Sequence, residues 1–453
     1  MTKPHERNDL TIAFLLLLAI LALAQSGCSE RRTLAATPNM YHNGHGREMF
    51  DAVPLEKRGT DIEVLYVTDR AIKQQAGIGP IYGHDRTKFL TYGTATVSLS
   101  PAVTWDELVD DSTSANRKHL YTLKTTSVRE LGTLKNAGGQ RVMIDGKLVV
   151  PPWLTTQIDT ERQDFQKLIA GALQHTNHKD VYIYVHGFAN TFDDSVFRCA
   201  ELWHFLGRRG VAIAYTWPAG HGGVLGYFHD RESGEYTILH LKQFLRTLAE
   251  VPEVERIHLI AHSRGTDVVA TAIREINIGA FAAGKDTQKV LKLQTLILAS
   301  PDLDADIFRE RFVAENVDAA AAHLVIYFSP NDTALGIANW LFSGKNRLGQ
   351  MAISDFTPEA LEALKVRDSV DFVNCDVTGY STSHDYEFAH PAVLSDLILV
   401  LRDGRQAGAQ YGRPLKNPMP NLWQITNDYA LPGPATKPST EPSTQPTTAP
   451  SAN

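Results

Sequence analysis

One serine in this chain stands where its neighbours could make it either a nucleophile or a helix cap. Residues 257–269 read IHLIAHSRGTDVV: an apolar run, then Ser263, then a stretch of helical character. The order Ala261-His262-Ser263-Arg264-Gly265 matches a nucleophile elbow, a sharp strand-to-helix turn, with alanine in place of the first glycine. Small residues are needed two positions either side, because a larger side chain would strike the neighbouring strand or helix. The turn also sets the serine at a helix N-terminus, whose partial positive charge favours a developing anion. A serine before a helix is equally an ordinary N-cap, so the pentapeptide alone leaves both roles open.

An attacking hydroxyl needs a base, the base needs an acid to orient it, and the reaction needs a place for negative charge. Where this elbow occurs, acid and then histidine follow the serine along the chain. YFSPNDTAL (327–335) places Asp332 just after an apolar run, and TSHDYEFAHP (382–391) places His384 after another. His390 is the rival base, but it abuts Pro391 at a helix start and reads as structural. Asp302 is the rival acid. It lies in SPDLDADIF (300–308), where a helix N-terminus gives aspartates a separate electrostatic reason to be present, so Asp332 is preferred. In VHGFAN (185–190), His186-Gly187 lets the backbone turn, so that the N–H of Phe188, with that of Arg264, can face a substrate carbonyl oxygen.

These residues are useful only if short elements hold them. Apolar runs recur at 181–185, 211–217, 257–261, 293–299, 323–328 and 370–374. Each is short and nearly continuous, as strands covered on both faces are. Helical patterns lie between and after them, at 194–208, 234–250, 265–276, 304–313, 358–365 and 391–403. That alternation predicts a three-layer α/β domain on a mostly parallel sheet. Segments 61–70 and 92–100 read as further strands, antiparallel ones at the N-terminal side of the sheet. Residues 101–160 read as an insertion or cover. Asp332 and His384 then fall beyond strand C-termini, where open α/β sheets build their sites.

At 453 residues, 43% of them hydrophobic and 21% charged, the chain has ample material for a large core. A net charge of −7 with no dense run of Lys or Arg disfavours a nucleic-acid partner. At the N-terminus, Lys3 and Arg7 precede the apolar run 10–24 and then Gln25-Ser26-Gly27-Cys28. The run is short for a bilayer span and suits a secretory signal. Ser26-Gly27-Cys28 resembles a bacterial lipoprotein box, whereas Ala22-Leu23-Ala24 suits ordinary signal peptidase. The expectation is a signal peptide over 1–28 with lipidation at Cys28, placing the protein in the bacterial cell envelope on a membrane anchor, with soluble export and an uncleaved anchor as the alternatives. Residues 29–58 read as a linker, 59–404 as the folded domain, and 405–453 as an extended tail ending in a disordered Pro/Ser/Thr-rich stretch. Cys199 and Cys375 read as small buried residues more than as a disulfide pair.

Other motifs fail. DLDAD (302–306) lacks the glycine and glutamate of a calcium loop, and AGHGGVLG (219–226) fits neither phosphate-binding pattern, so it reads as a loop beside the site. HTNH (175–178) and HNGH (42–45) have no ligand set around them. No metal and no organic cofactor is implied.

Several stretches together resemble an uncharacterised family of bacterial α/β-hydrolases in the esterase/lipase superfamily: VTDR (67–70), YGTATVSLSP (92–101), YVHGF (184–188), TWPAGHGGVLGYFHDRES (216–233), IAHSRG (260–265), SPDLDADIF (300–308) and SHDYEF (383–388). The resemblance spans roughly residues 60–404. It implies serine hydrolase chemistry on a small-molecule ester or related acyl substrate, without naming the molecule. A thioesterase or amidase using the same three residues, and a silent hydrolase fold that only binds, are the competing readings.

Overall fold

Alternation of covered and exposed side chains makes Asp61–Ala76 the first strand, β1. It is followed by β2 (Gly79–Ser100) and β3 (Thr122–Leu134), each antiparallel to its predecessor. The computed structural model describes residues 32–136, 138, 141–335, 347–379 and 384–431. A small hairpin, β4 (Val142–Ile144) with β5 (Lys147–Val149), stands apart from the main sheet. Six short strands then alternate with helices: β6 (Asp180–Val185), β7 (Val211–Thr216), β8 (Arg256–His262), β9 (Leu293–Ala299), β10 (His323–Phe328) and β11 (Val370–Cys375). Two last strands, β12 (Lys416–Met419) and β13 (Leu422–Ile425), complete the sheet.

The strand order is β12-β13-β11-β10-β9-β8-β6-β7-β1-β2-β3. Pairing is parallel from β13 across to β1. It is antiparallel among β1, β2 and β3, as expected, and also between β12 and β13 at the far edge. Successive residues of the central strands face opposite cores. Ile183, Leu259 and Leu296 share one core with Phe165, Phe244 and Ile273, from helices α1 (Pro152–Gln174), α3 (Gly223–Ala249) and α4 (Gly265–Ala282). Tyr182, Ile260 and Ile297 share the other with Val196 and Leu397, from α2 (Phe192–Phe205) and α5 (Pro391–Asp403). These are the three layers.

Both flanks of the domain depart from the expectation. Residues 32–58, read as linker, are packed onto the body: Leu34, Tyr41, Phe50 and Val53 are buried, and Tyr41 Oη–H donates to the Phe205 carbonyl at 2.7 Å. Residues 405–431, read as extended tail, add β12 and β13, with Leu422 and Ile425 fully buried. Each segment carries its apolar anchors singly, so no periodic run betrays it. Within 101–160, residues 122–134 are a strand of the main sheet, not a cover. Helix α3 begins at Gly223, inside the stretch read as loop, because a turn at Gly220 (φ 120°) precedes it. Cys199 and Cys375 are both buried and unpaired. The signal segment, Cys28 and the Pro/Ser/Thr-rich end from 432 lie outside the described residues. No helix among the described residues is long and apolar enough to cross a membrane.

Candidate active site

The turn after β8 holds Ser263 at φ 52°, a left-handed conformation that costs a non-glycine residue about 1–2 kcal/mol. The surroundings impose it. Ser263 N–H donates to the Ala299 carbonyl at 2.9 Å, and its own carbonyl accepts from Thr266 N–H at 3.0 Å and Thr266 Oγ1 at 2.6 Å. The small residues have packing reasons. A Cβ on Gly265 would lie 2.3 Å from the His186 carbonyl oxygen, and a Cβ on Gly187 would lie 2.7 Å from Ser263 Cβ. Ser263 therefore stands where α4 begins, pressed against the loop that follows β6.

Loops after β10 and β11 bring the other two predicted residues to it. His384 Nε2 is 2.7 Å from Ser263 Oγ, and His384 Nδ1 is 2.7 Å from Asp332 Oδ2. Asp332 is fully buried and also accepts the Leu335 N–H through Oδ1 at 3.1 Å, while a quarter of the His384 side chain is exposed. Burial alone would lower the His384 pKa, but the hydrogen bond and negative charge of Asp332 outweigh it and the pKa is raised.

The backbone of His384 is anchored by residues that the sequence reading assigned no role. His262 Nε2–H donates to the His384 carbonyl at 3.0 Å. Burial, with His384 nearby, depresses His262 to about 4, so it remains a neutral donor at physiological pH. Next in the chain, Asp385 pairs with Arg198 at 2.6 Å. Glu387 accepts from Ser300 Oγ at 2.6 Å, and burial lifts its pKa to about 8 despite that bond.

The turn at 187–189 gives the site its candidate anion pocket. Neither the Phe188 N–H nor the Arg264 N–H meets an acceptor among the described residues, so both are available to a developing oxyanion. Two buried charges hold this loop. Arg70, at the end of the VTDR stretch, donates to the Asn190 carbonyl at 2.8 Å, the Ala219 carbonyl at 2.6 Å and the Gly83 carbonyl at 3.0 Å. Asp230 accepts the N–H of Ala189 and that of Gly220, each at 3.0 Å.

The rival candidates are employed elsewhere. Asp302 accepts from Tyr227 Oη at 2.8 Å and pairs with Arg347 at 3.3 Å, and Tyr227 in turn packs edge-on against Phe188. His390 Nδ1 accepts the Ala392 N–H at 3.2 Å, capping α5.

A family model described as an alpha/beta hydrolase of unknown function (DUF900) matches residues 161–402. The chain belongs to this family of alpha/beta hydrolases. No curated protein matches it. The matched span contains Ser263, Asp332 and His384 and ends within α5. It leaves β1–β3 outside, although Arg70, which fastens the loop of this hydrolase's site, comes from β1. Arg70, His262, Asp230 and Glu387 have no sequence signal for these roles, because a buried polar side chain that props a loop has no sequence spacing of its own.

Proposed function

We propose that this alpha/beta hydrolase is a serine hydrolase that cleaves ester or related acyl bonds through a covalent acyl-enzyme. The observation that carries the reading is the unbroken chain of 2.7 Å contacts from Ser263 Oγ through His384 to Asp332, at an elbow beside two N–H groups that meet no acceptor among the described residues. Ser263 Oγ attacks the acyl carbon while His384 Nε2 takes its proton. Asp332 keeps the imidazole proton on Nδ1 and stabilises the imidazolium. The oxygen that gains charge is met by the Phe188 and Arg264 N–H groups and the N-terminus of α4. The imidazolium then protonates the leaving group. A water molecule, activated by the same histidine, releases the acyl product and frees Ser263.

Covalent labelling by a fluorophosphonate tests this directly. Wild-type protein should label, Ser263→Ala should not, and hydrolysis of a panel of p-nitrophenyl esters should fall by about 10⁶-fold in the variant. Labelling that persists in Ser263→Ala would end the proposal. The apolar run 10–24 and Cys28 further support export to the cell envelope on a lipid anchor. Cys28→Ser should then release the protein from the membrane fraction or block its processing, and a mature chain starting unmodified at Gln25 would favour soluble export.

A further inference from the structure

Two histidines and an aspartate converge beside the loop that carries Phe188. His221 lies in the connection from β7, and His229 and Asp230 lie in the early turns of α3. One ligand-type atom from each lies within 4.8 Å of the others. We propose that these three residues form a binding site for one divalent transition-metal ion of the zinc class.

The chemistry of the set selects the ion. Two imidazoles and one carboxylate suit zinc and its neighbours, and a fourth position stays open to water. Calcium and magnesium, which take oxygen ligands, are poorly served. The geometry is close to what a bound ion requires. His221 Nδ1 and Asp230 Oδ1 are 2.8 Å apart, whereas ligands of a tetrahedral zinc with bonds of about 2.0–2.1 Å are separated by about 3.3 Å. The ion takes the place of the proton shared by those two atoms, and the neutral His221 ring then carries its proton on Nε2. His229 supplies the third ligand: its ring centroid is 3.8 Å from that of His221, and its ring nitrogens have no hydrogen-bond partner among the described residues.

An ordinary His221–Asp230 hydrogen bond explains neither the second imidazole nor the way the carboxylate is held. Asp230 is fully buried, and its Oδ2 is fixed by the Ala189 and Gly220 N–H groups. Support of that kind behind a ligating carboxylate raises metal affinity. Asp230 Oδ1 accepts the His221 backbone N–H at 3.3 Å and is the oxygen that meets the His221 ring. An ion there ties the start of α3 to the same carboxylate that holds the turn after Phe188. Occupancy should therefore stiffen one wall of the candidate active site.

The test uses the full chain, stripped with a chelator and titrated with Co²⁺ while visible absorption is followed. One Co²⁺ per chain should bind, Zn²⁺ should displace it, and Zn²⁺ should raise the melting temperature. His229 is exposed, so His229→Ala should keep the metal-free melting temperature yet bind Co²⁺ at least tenfold more weakly. His221→Ala should do the same. Ser263→Ala should bind like wild type, since this readout needs no hydrolysis. Absence of saturable binding up to millimolar Co²⁺ would overturn the proposal, and so would equal affinity in wild type and both histidine variants.

Discussion

Asp332 and Asp302 are both buried aspartates that follow sheet strands, and what separates them is the partner each oxygen meets. Asp332 Oδ2 faces His384 Nδ1, whereas Asp302 faces a tyrosine hydroxyl and a guanidinium. Asp332→Asn would turn either an amide oxygen or an amide donor towards Nδ1, and the donor form selects the wrong tautomer. The expected loss in kcat is about 10⁴-fold, with the fold kept, as steady-state kinetics and a thermal melt would show. Asp302→Asn should retain turnover and lose about 1–3 kcal/mol of stability, from the weakened contacts to Arg347 and Tyr227; the opposite pattern would reassign the acid. Glu387 supports a second prediction. Its pKa of about 8 in the folded protein lies above the ordinary value of 4.5, so between those limits the folded state holds more protons than the unfolded one. Its contribution is complete below about pH 4.5 and is lost as pH rises through 8. Melting temperatures from pH 5 to 9 should thus decline more steeply for wild type than for Glu387→Gln. That Ser263, His384 and Asp332 meet was legible because the elbow, followed along the chain by an aspartate and a histidine after strand ends, anticipates those contacts. Glu387 was not, because its shift comes from burial that only the folded chain creates.

At the scale of elements, the candidate site depends on interior strands that set four loops beyond their C-terminal ends. β6 ends at the Gly187 turn, β8 at Ser263, β10 before Asp332 and β11 before His384. Those strands were readable because burial on both faces leaves a continuous apolar run. The helices were readable in place but not in extent: α3 starts 11 residues before the expected 234, since a glycine-rich first turn looks like a loop. The least legible element was β1 in its role as support. Its Arg70 is almost fully buried, and burial lowers its pKa only to about 10, so it stays cationic at neutral pH. It joins β1 to the Asn190 and Ala219 carbonyls across two loops. Arg70→Met removes those donors and leaves several buried acceptors unpaired, each costing about 1–3 kcal/mol. The variant should melt well below wild type. If it stays folded, kcat should fall with it, because the Phe188 turn loses its brace. A variant with unchanged melting temperature and unchanged kcat would show that Asp230 alone holds the loop.

For the whole molecule, the domain is closed by its two flanks, which meet each other. Asn39 Nδ2 donates to the carbonyls of Asn427 and Tyr429 at 3.0 and 2.9 Å, so the first described residues clasp the last. Underneath, Arg413 is completely buried and donates to both oxygens of Asp396 at 2.9 Å and to Asp371 at 2.8 Å. The pairing binds residues 405–431 to α5 and β11. An end at residue 404, where the periodic pattern stops, would remove β12 and β13 and the cation between two buried carboxylates. Breaking a buried pair by removing one partner costs about 3–5 kcal/mol, and the edge of β11 would also be left uncovered, a template for association with other chains. A chain ending at 404 should therefore be insoluble, or melt far below wild type. One ending at 431 should keep the wild-type melting temperature, because the Pro/Ser/Thr-rich sequence beyond it offers no apolar side chain larger than alanine, apart from aliphatic ring and stem carbons. Circular dichroism melts and size-exclusion profiles of the two truncations decide the matter. If the chain ending at 404 were as stable as the one ending at 431, the buried Arg413 cluster would be an accessory to the fold and not one of its supports.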